Sequence, residues 1–398
     1  MSAPGGLMAQ RWTPAAFVRG GTSKGLFFEA SALPQRVEDR NALFLEALGS
    51  PDEYGRQLDG MGGGLSSLSK AVIVERSRRP GVDVDYTFVQ VSVDKPVVDY
   101  AANCGNLASA VGPYAVDQGL VSRPDGPATV RLFNTNTDKT IDAHFEVQDG
   151  LARADGEFTI PGVSGTGAPV KLEFLDPGGA RTGKLLPTGS VIDQLDTALG
   201  PIEVSLVDAT NPVVFVHAGS VGLSGDETVA DLEANAPTLT VLDQLRRQGA
   251  VAMGLCTRPE DAPLSNPKIA ILSTPTDYTT LRGQAVGASS YDIGMRMISV
   301  EQVHRAVTVT GALCTAVAQK IPGTLVSRTA APGTGKLRVG SPSGVFDVDA
   351  DVDPDQPHAR SASLYRTCRR LMHGAVATPA KTPVPGDLAT PSEAVGAQ

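Results

Sequence analysis

Two glycine-rich stretches carry the residues with the clearest chemical potential. "RGGTSKG" (19–25) and "DGMGGGLSSLSK" (59–70) each combine consecutive glycines, hydroxyl side chains and a lysine. Successive glycines let backbone N–H groups converge into an anion-binding concavity, hydroxyls add neutral donors, and lysine adds one positive charge. Such loops suit carboxylates, although composition alone is equally compatible with a pair of Gly/Ser surface turns. Cys104 stands in front of a third stretch, "NCGNLASAVGPYAV" (103–116), whose small residues predict a tightly packed helix. Gly105 and Asn106 would then lie in its first turn, where unpaired N–H groups and the dipole favour negative charge. A thiolate would be stabilised there, and the same donors could hold a carboxylate. The competing reading is a thiol that only packs.

Other candidates are weaker on local grounds. Cys314 falls inside a second small-residue helix, and Cys256 and Cys368 have no chemically suggestive neighbours. No C-x-x-C pair or histidine cluster at metal spacing occurs, so neither a zinc site nor a disulfide framework is expected. His304 precedes the second helix and could be catalytic or structural. Asn211 and Ser343 read as turn residues unless the fold brings them to a cleft. Nucleotide motifs fail: no lysine completes G-x-x-x-x-G-K-[ST], and Leu65 occupies the last glycine of a would-be G-x-G-x-x-G from Gly60.

The elements that must position these residues come from 398 residues, enough for two units. Hydrophobic residues make up 41% and charged ones 19%, as in ordinary globular proteins. The 43 glycines and 29 prolines favour many turns between short elements. A net charge of −9 with no basic cluster argues against nucleic acid as a partner. No apolar run approaches the roughly 20 residues of a membrane span, and the amino terminus lacks a signal pattern, so a cytoplasmic protein is expected.

Strand-like segments dominate the first half, with a helix over 38–48 and another after Cys104 whose regularity Pro113 should limit. The Gly/Pro-rich region 161–190 reads as a crossing, followed by new strands, helical periodicity over 226–255 broken at Pro237, and the strand "PKIAILSTP". "VVDYAANCGNLASAVGPYAV" (97–116) and "RAVTVTGALCTAVAQKI" (305–321) share an order of strand, glycine and small-residue helix, which suggests a diverged duplication. A helix small on all sides is expected to be enclosed on all sides. After Gly374 the Pro/Ala/Thr-rich tail reads as extended or disordered.

Taken in order, "RGGTSKG", "DGMGGGLSSLSK", "NCGNLASAVGPYAV", "TGKLLPTG", "NPVVFV", "HRA…TGALCTA" and "PSG" resemble the PrpF family, related in fold to diaminopimelate epimerase. The resemblance spans roughly residues 14–375. It implies an α+β fold of two similar units, each a curved β barrel around a central helix, with the active site in the cleft between them. The expected units are 8–185 and 186–375, with 376–398 as the tail.

The family's activity is cofactor-independent isomerisation of unsaturated di- and tricarboxylic acids, such as 2-methylaconitate or aconitate, with 4-oxalomesaconate tautomerisation as the alternative. Carried over residue by residue, Lys70 would be the base and Cys104 an acid or anion stabiliser. Arg19, Thr22, Ser23, Gly63, Gly64, Ser66, Ser67, Gly105, Asn106, Asn211, His304 and Ser343 would bind substrate. No metal or cofactor is implied, the partner being the small carboxylate itself; a homo-oligomer is left open. The epimerases use a second cysteine that would fall near Thr308, where none stands, so two-thiol racemisation is not expected. Ser341 occupies a position where related chains carry histidine. A non-catalytic tricarboxylate-binding protein is the competing class, and would need the loops but no base.

Overall fold

The computed structural model describes residues 10–100, 104–264, 266–299, 302–333, 335–356 and 358–379. Six helices occur among them: α1 (Val37–Leu48), α2 (Gly105–Asp117), α3 (Val229–Ala234), α4 (Ala236–Ala252), α5 (Val309–Gln319) and α6 (Leu325–Thr329). All else of regular length is strand, and one continuous sheet holds nearly all of it.

Eight strands of that sheet close on themselves. Arg11–Gly20, Ser23–Glu29, Lys70–Arg76, Val84–Val91, Gly126–Asn134, Lys139–Gln148, Pro169–Leu175 and Ala359–Thr378 each pair with the next, and the last returns to the first. Closure leaves no exposed edge. The second set runs Gly200–Ala209, Asn211–His217, Lys268–Ser273, Ile293–Ser299, Leu337–Ser341, Gly344–Val352 and again Ala359–Thr378. It repeats the first set's succession of hairpin, parallel pair, antiparallel pair, parallel pair and hairpin. The final strand is hydrogen-bonded on one side to Pro169–Leu175 and on the other to Gly344–Val352, so one segment joins both halves.

The sheet wraps around α2 in the first half and α5 in the second. From Leu107 to Val116 every residue of α2 is buried, as is every residue of α5 from Val309 to Ala318. That enclosure explains their composition, because alanine, glycine and valine let the surrounding strands approach the helix backbone. Pro113 is accommodated within α2 without ending it. Both helices belong to one apolar core, whereas α1 and α4 cover separate clusters on the outside of the sheet. Periodicity over 226–255 resolves into α3 and α4, with Pro237 in the first turn of α4 where its missing N–H costs nothing. Beyond Gly374 the chain stays in its strand to Thr378; residues 8–9 and 380–398 lie outside the described residues.

Helices α2 and α5 meet at their N-termini. A Cβ added at Gly105 would lie 2.3 Å from Val309 Cγ1 and 2.8 Å from its Cβ. Valine is stiff at χ1 and cannot swing away. Gly105→Ala should therefore cost about 1–3 kcal/mol through overpacking, read as a lowered urea midpoint with an unchanged m-value.

Candidate active site

Where the two helix starts meet, residues from both halves line a cavity of about 350 Å³. The first half supplies Thr22, Ser23, Ser66, Ser67, Lys70, Gln90, Asp99, Cys104, Gly105, Asn106 and Thr137 to its wall. Three separate loops are thus gathered at one place by the barrel.

Lys70 opens the strand Lys70–Arg76, and burial holds its ammonium well below the usual lysine range, with the nearby Cys104 sulfur as a smaller opposing influence. Its Nζ donates to Gln90 Oε1 at 2.5 Å and lies 4.8 Å from the centroid of the Phe88 ring. Gln90 is itself fixed, its Nε2 donating to the carbonyl oxygens of Ser66 (3.1 Å) and Ser69 (2.9 Å). The amine is thereby aimed, and among the described residues no carboxylate forms an ion pair with it.

Cys104 is the N-cap of α2, and its side chain bonds to none of the helix's N–H groups. The open donors of the first turn and the sulfur therefore share one location, with Ser23 Oγ 3.9 Å from Sγ. Asn106 in that turn donates from Nδ2 to Thr22 Oγ1 (3.1 Å) and accepts at Oδ1 from Arg366 Nε (3.2 Å). Glycine is required at position 21, which has φ +52° and where a Cβ would lie 2.2 Å from Asn106 Oδ1. The hairpin tip thus rests directly on the start of α2.

Arg366 is buried, and among the described residues no carboxylate lies within ion-pair reach of it. Burial alone lowers its pKa to about 10. It lies on the strand joining the two halves and fixes Asn106 from behind.

Four expected site residues stand elsewhere. Arg19 Nη1 donates to the carbonyl oxygens of Gly21 and Thr367, which fastens the hairpin to the final strand. Gly63 and Gly64 are outside the cavity, and the Gly64 N–H, expected as an oxyanion donor, is taken by Gln57 Oε1 at 3.0 Å. Their loop is internally tied, and this frees Ser66 and Ser67 rather than its own glycines to face the cavity. Ser343 sits at a half-buried turn outside the cavity and donates to the Arg305 carbonyl oxygen. Ser341, the substituted position, is buried with its hydroxyl bonded to the Gly344 carbonyl oxygen and lines a small separate hollow beside Arg366.

The second half contributes Ala180, Arg181, Thr210, Asn211, Asn266, Lys268, His304, Thr308, Val309 and Thr310. Of these, only Asn211 and His304 were expected. Burial and the neighbouring Lys268 charge depress the His304 pKa to about 4, so its ring is neutral at physiological pH; Nδ1 accepts from the Ala306 N–H. The most consequential omission was Lys268. Its signal was present in "PKIAIL", a lysine opening an apolar strand as Lys70 does in "SKAVIV".

Residues 10–379 match the family described as PrpF protein. The chain belongs to the PrpF family. It is 40% identical over 370 residues to the 3-methylitaconate isomerase of Eubacterium barkeri, covering 91% of this chain and 96% of that one. It is 39% identical over 384 residues to the 2-methyl-aconitate isomerase of Cupriavidus necator, covering 92% and 97%. A crystal structure of methylitaconate-delta-isomerase superposes with a TM-score of 0.85 at 39% identity, over 93% of this chain and 96% of the other. A probable proline racemase from Agrobacterium radiobacter, 14% identical with a TM-score of 0.50 over 94% of both chains, shares the fold alone. Among the described residues of this PrpF-family chain, no helix is long and apolar enough to cross a membrane.

Arg366→Met removes a buried charge together with its grip on Asn106. Relief of desolvation offsets the lost hydrogen bonds. The variant should keep or raise its Tm while the apparent KM for substrate rises severalfold, checked by calorimetry and steady-state kinetics on one preparation.

Proposed function

We propose that this PrpF-family isomerase shifts a proton along the allylic system of an unsaturated tricarboxylic acid of the 2-methylaconitate or aconitate type, without a cofactor. The observation that carries the reading is the Lys70 amine, buried, aimed by Gln90, and sharing one cavity with Cys104 at the uncapped start of α2.

A C–H next to a double bond conjugated with a carboxylate is a weak acid. Its anion spreads charge through the allylic carbons into the carboxylate oxygens. Neutral Lys70 takes the proton from one allylic carbon, and the electron pair of that C–H bond becomes part of a dienolate. Returning a proton to the other end relocates the double bond, with no net gain or loss of atoms or electrons. Burial serves the first step because it leaves the amine less protonated near neutral pH.

N–H groups in the first turn of α2 and the hydroxyls of Thr22, Ser23, Ser66 and Ser67 are suited to the charge on the dienolate. Oriented donors of this kind lower such barriers by several kcal/mol. Cys104 either returns the proton or supports the charge. A protein that only binds tricarboxylates would need the loops but no base, whereas Lys70 offers a less protonated amine aimed by Gln90 beside the Cys104 thiol, which favours the enzyme.

Lys70→Ala should abolish turnover while circular dichroism stays native; near-normal activity in that variant would refute the assignment. Cys104→Ser should lose most activity if the thiol carries a proton and little if it only packs. In heavy water, deuterium should enter the allylic position of product, tracked by NMR. A panel containing 2-methylaconitate, aconitate, 4-oxalomesaconate and methylitaconate, followed by dienoate or enol absorbance, identifies the substrate.

A further inference from the structure

The two halves of the sheet place equivalent residues around the cavity, and the equivalence is chemically uneven. Lys70 and Lys268 each open the second strand of a parallel pair, Ser23–Glu29 with Lys70–Arg76 and Asn211–His217 with Lys268–Ser273. Cys104 and Thr308 are the N-caps of α2 and α5. Gly21 and Thr210, both with positive φ, sit at hairpin tips that lean on Asn106 and Thr310 respectively. On the second side, however, Thr308 Oγ1 accepts from the Gly311 N–H at 3.1 Å, so α5 has one of its own donors capped. No thiol stands there.

A second cation takes part on that side. Arg181 lines the cavity from the loop between the strands Pro169–Leu175 and Asp193–Thr197, and the loop is clamped: the Arg181 and Thr182 N–H groups donate to Asp208 Oδ2 at 2.8 and 2.7 Å, and Thr182 Oγ1 does so at 2.9 Å. Lys268 is held down to about 8, first by burial and then by the like charge of Arg181, with Cys314 opposing. Two like charges close enough to repel face one cavity, together with the neutral donors Asn211, Asn266 and His304. An anion placed between them would relieve the repulsion.

We infer that Lys268 and Arg181 form a second anion subsite, built by the other half of the sheet, that holds a substrate carboxylate remote from the carbon at which Lys70 acts. The consequence is selection of tricarboxylates over dicarboxylates. This rests on the isomerase reading for the identity of the ligand, but its test measures binding alone.

Titration calorimetry of the full chain with two saturated acids that cannot react, propane-1,2,3-tricarboxylate and methylsuccinate, reads the subsite directly. The wild type should bind the tricarboxylate at least about tenfold more tightly. Lys268→Met should erase most of that preference and leave methylsuccinate affinity nearly unchanged, whereas Lys268→Arg should keep the preference. Arg181→Met serves as a second variant, because the backbone and Thr182 clamp on Asp208 does not depend on its side chain.

Charge gives an independent readout. Among the described residues, the titratable groups that face Lys268 include Arg181, His304 and Cys314, with Asp208 beside the last; burial holds the Cys314 thiol neutral and His304 is uncharged above about 4. Lys268 is protonated below its pKa and neutral above it, so the tricarboxylate preference should fade as pH rises past about 8, somewhat later with ligand bound. In Lys268→Arg it should persist. Lys70, Cys104 and Asp99 also line the cavity but are common to both proteins, so the difference between the two profiles reports Lys268.

Equal loss of both ligands in Lys268→Met, or an undiminished preference in both Met variants, overturns the subsite. A wild type that binds with this preference yet isomerises no acid overturns the isomerase reading instead. Failure of the wild type to bind either acid overturns both.

Discussion

The approach of two helix N-termini across Gly105 and Val309 is the constraint on which the rest of the structure depends. Each helix is enclosed by strands, so its axis is set by the sheet around it, and its first turn can end only where the sheet opens. With the helix starts in contact, both dipoles point at one volume. A polycarboxylate in that volume meets donors from both sides without a large cationic surface, which fits a chain of net charge −9. The glycine at 105 is therefore a geometric requirement of the site, although it presents no functional group.

Repetition of strand order makes the cavity symmetric in backbone, and substitution makes it asymmetric in chemistry. On the first side an uncapped helix start, a thiol and an aimed amine gather where charge would develop. On the second, a threonine caps one donor of the helix, no thiol stands at its start, and Lys268 is joined by a second cation, Arg181. One side is suited to moving a proton and the other to holding the molecule still. Burial serves both, since it lowers the pKa of each lysine and strengthens every contact to an anion.

Much of this was legible in the chain itself. The small-residue helices and their repetition in the two halves, Lys70, Cys104 and Asn106 are all local patterns that periodicity, composition and adjacency report, whereas the strand expected at the start of 305–321 does not form because α5 already begins at Val309. What escaped was of another kind. Gln90 looks like any polar residue in an alternating strand, and its role exists only because the barrel brings Val84–Val91 beside Lys70–Arg76. Arg181 lies in a loop whose position is fixed by Asp208 on a strand 26 to 27 residues later. Lys268 carried a local signal, but only comparison with Lys70 through the repeat would have given it meaning. The final strand's membership in both halves is a matter of long-range pairing, which no local pattern announces.

The glycines at 63 and 64 carry the opposite lesson. Glycine clusters suggested backbone donors to an anion, yet the Gly64 N–H is spent on Gln57, whose Nε2 in turn holds Ser50 Oγ and Ser69 Oγ, both at 2.7 Å. Ser69 directly precedes Lys70, and its carbonyl oxygen also anchors Gln90. The loop's hydrogen bonds therefore converge on Lys70 and its partner Gln90 rather than on the cavity. Gly64 has φ +70°, and a Cβ there would lie 2.2 Å from the Gly55 carbonyl oxygen, so the turn needs glycine for steric reasons alone. Flexibility suggested by composition is converted by one buried glutamine into rigidity. For the proton transfer proposed for Lys70, an amine that must be aimed within a fraction of an ångström gains more from that rigidity than it would from one further donor.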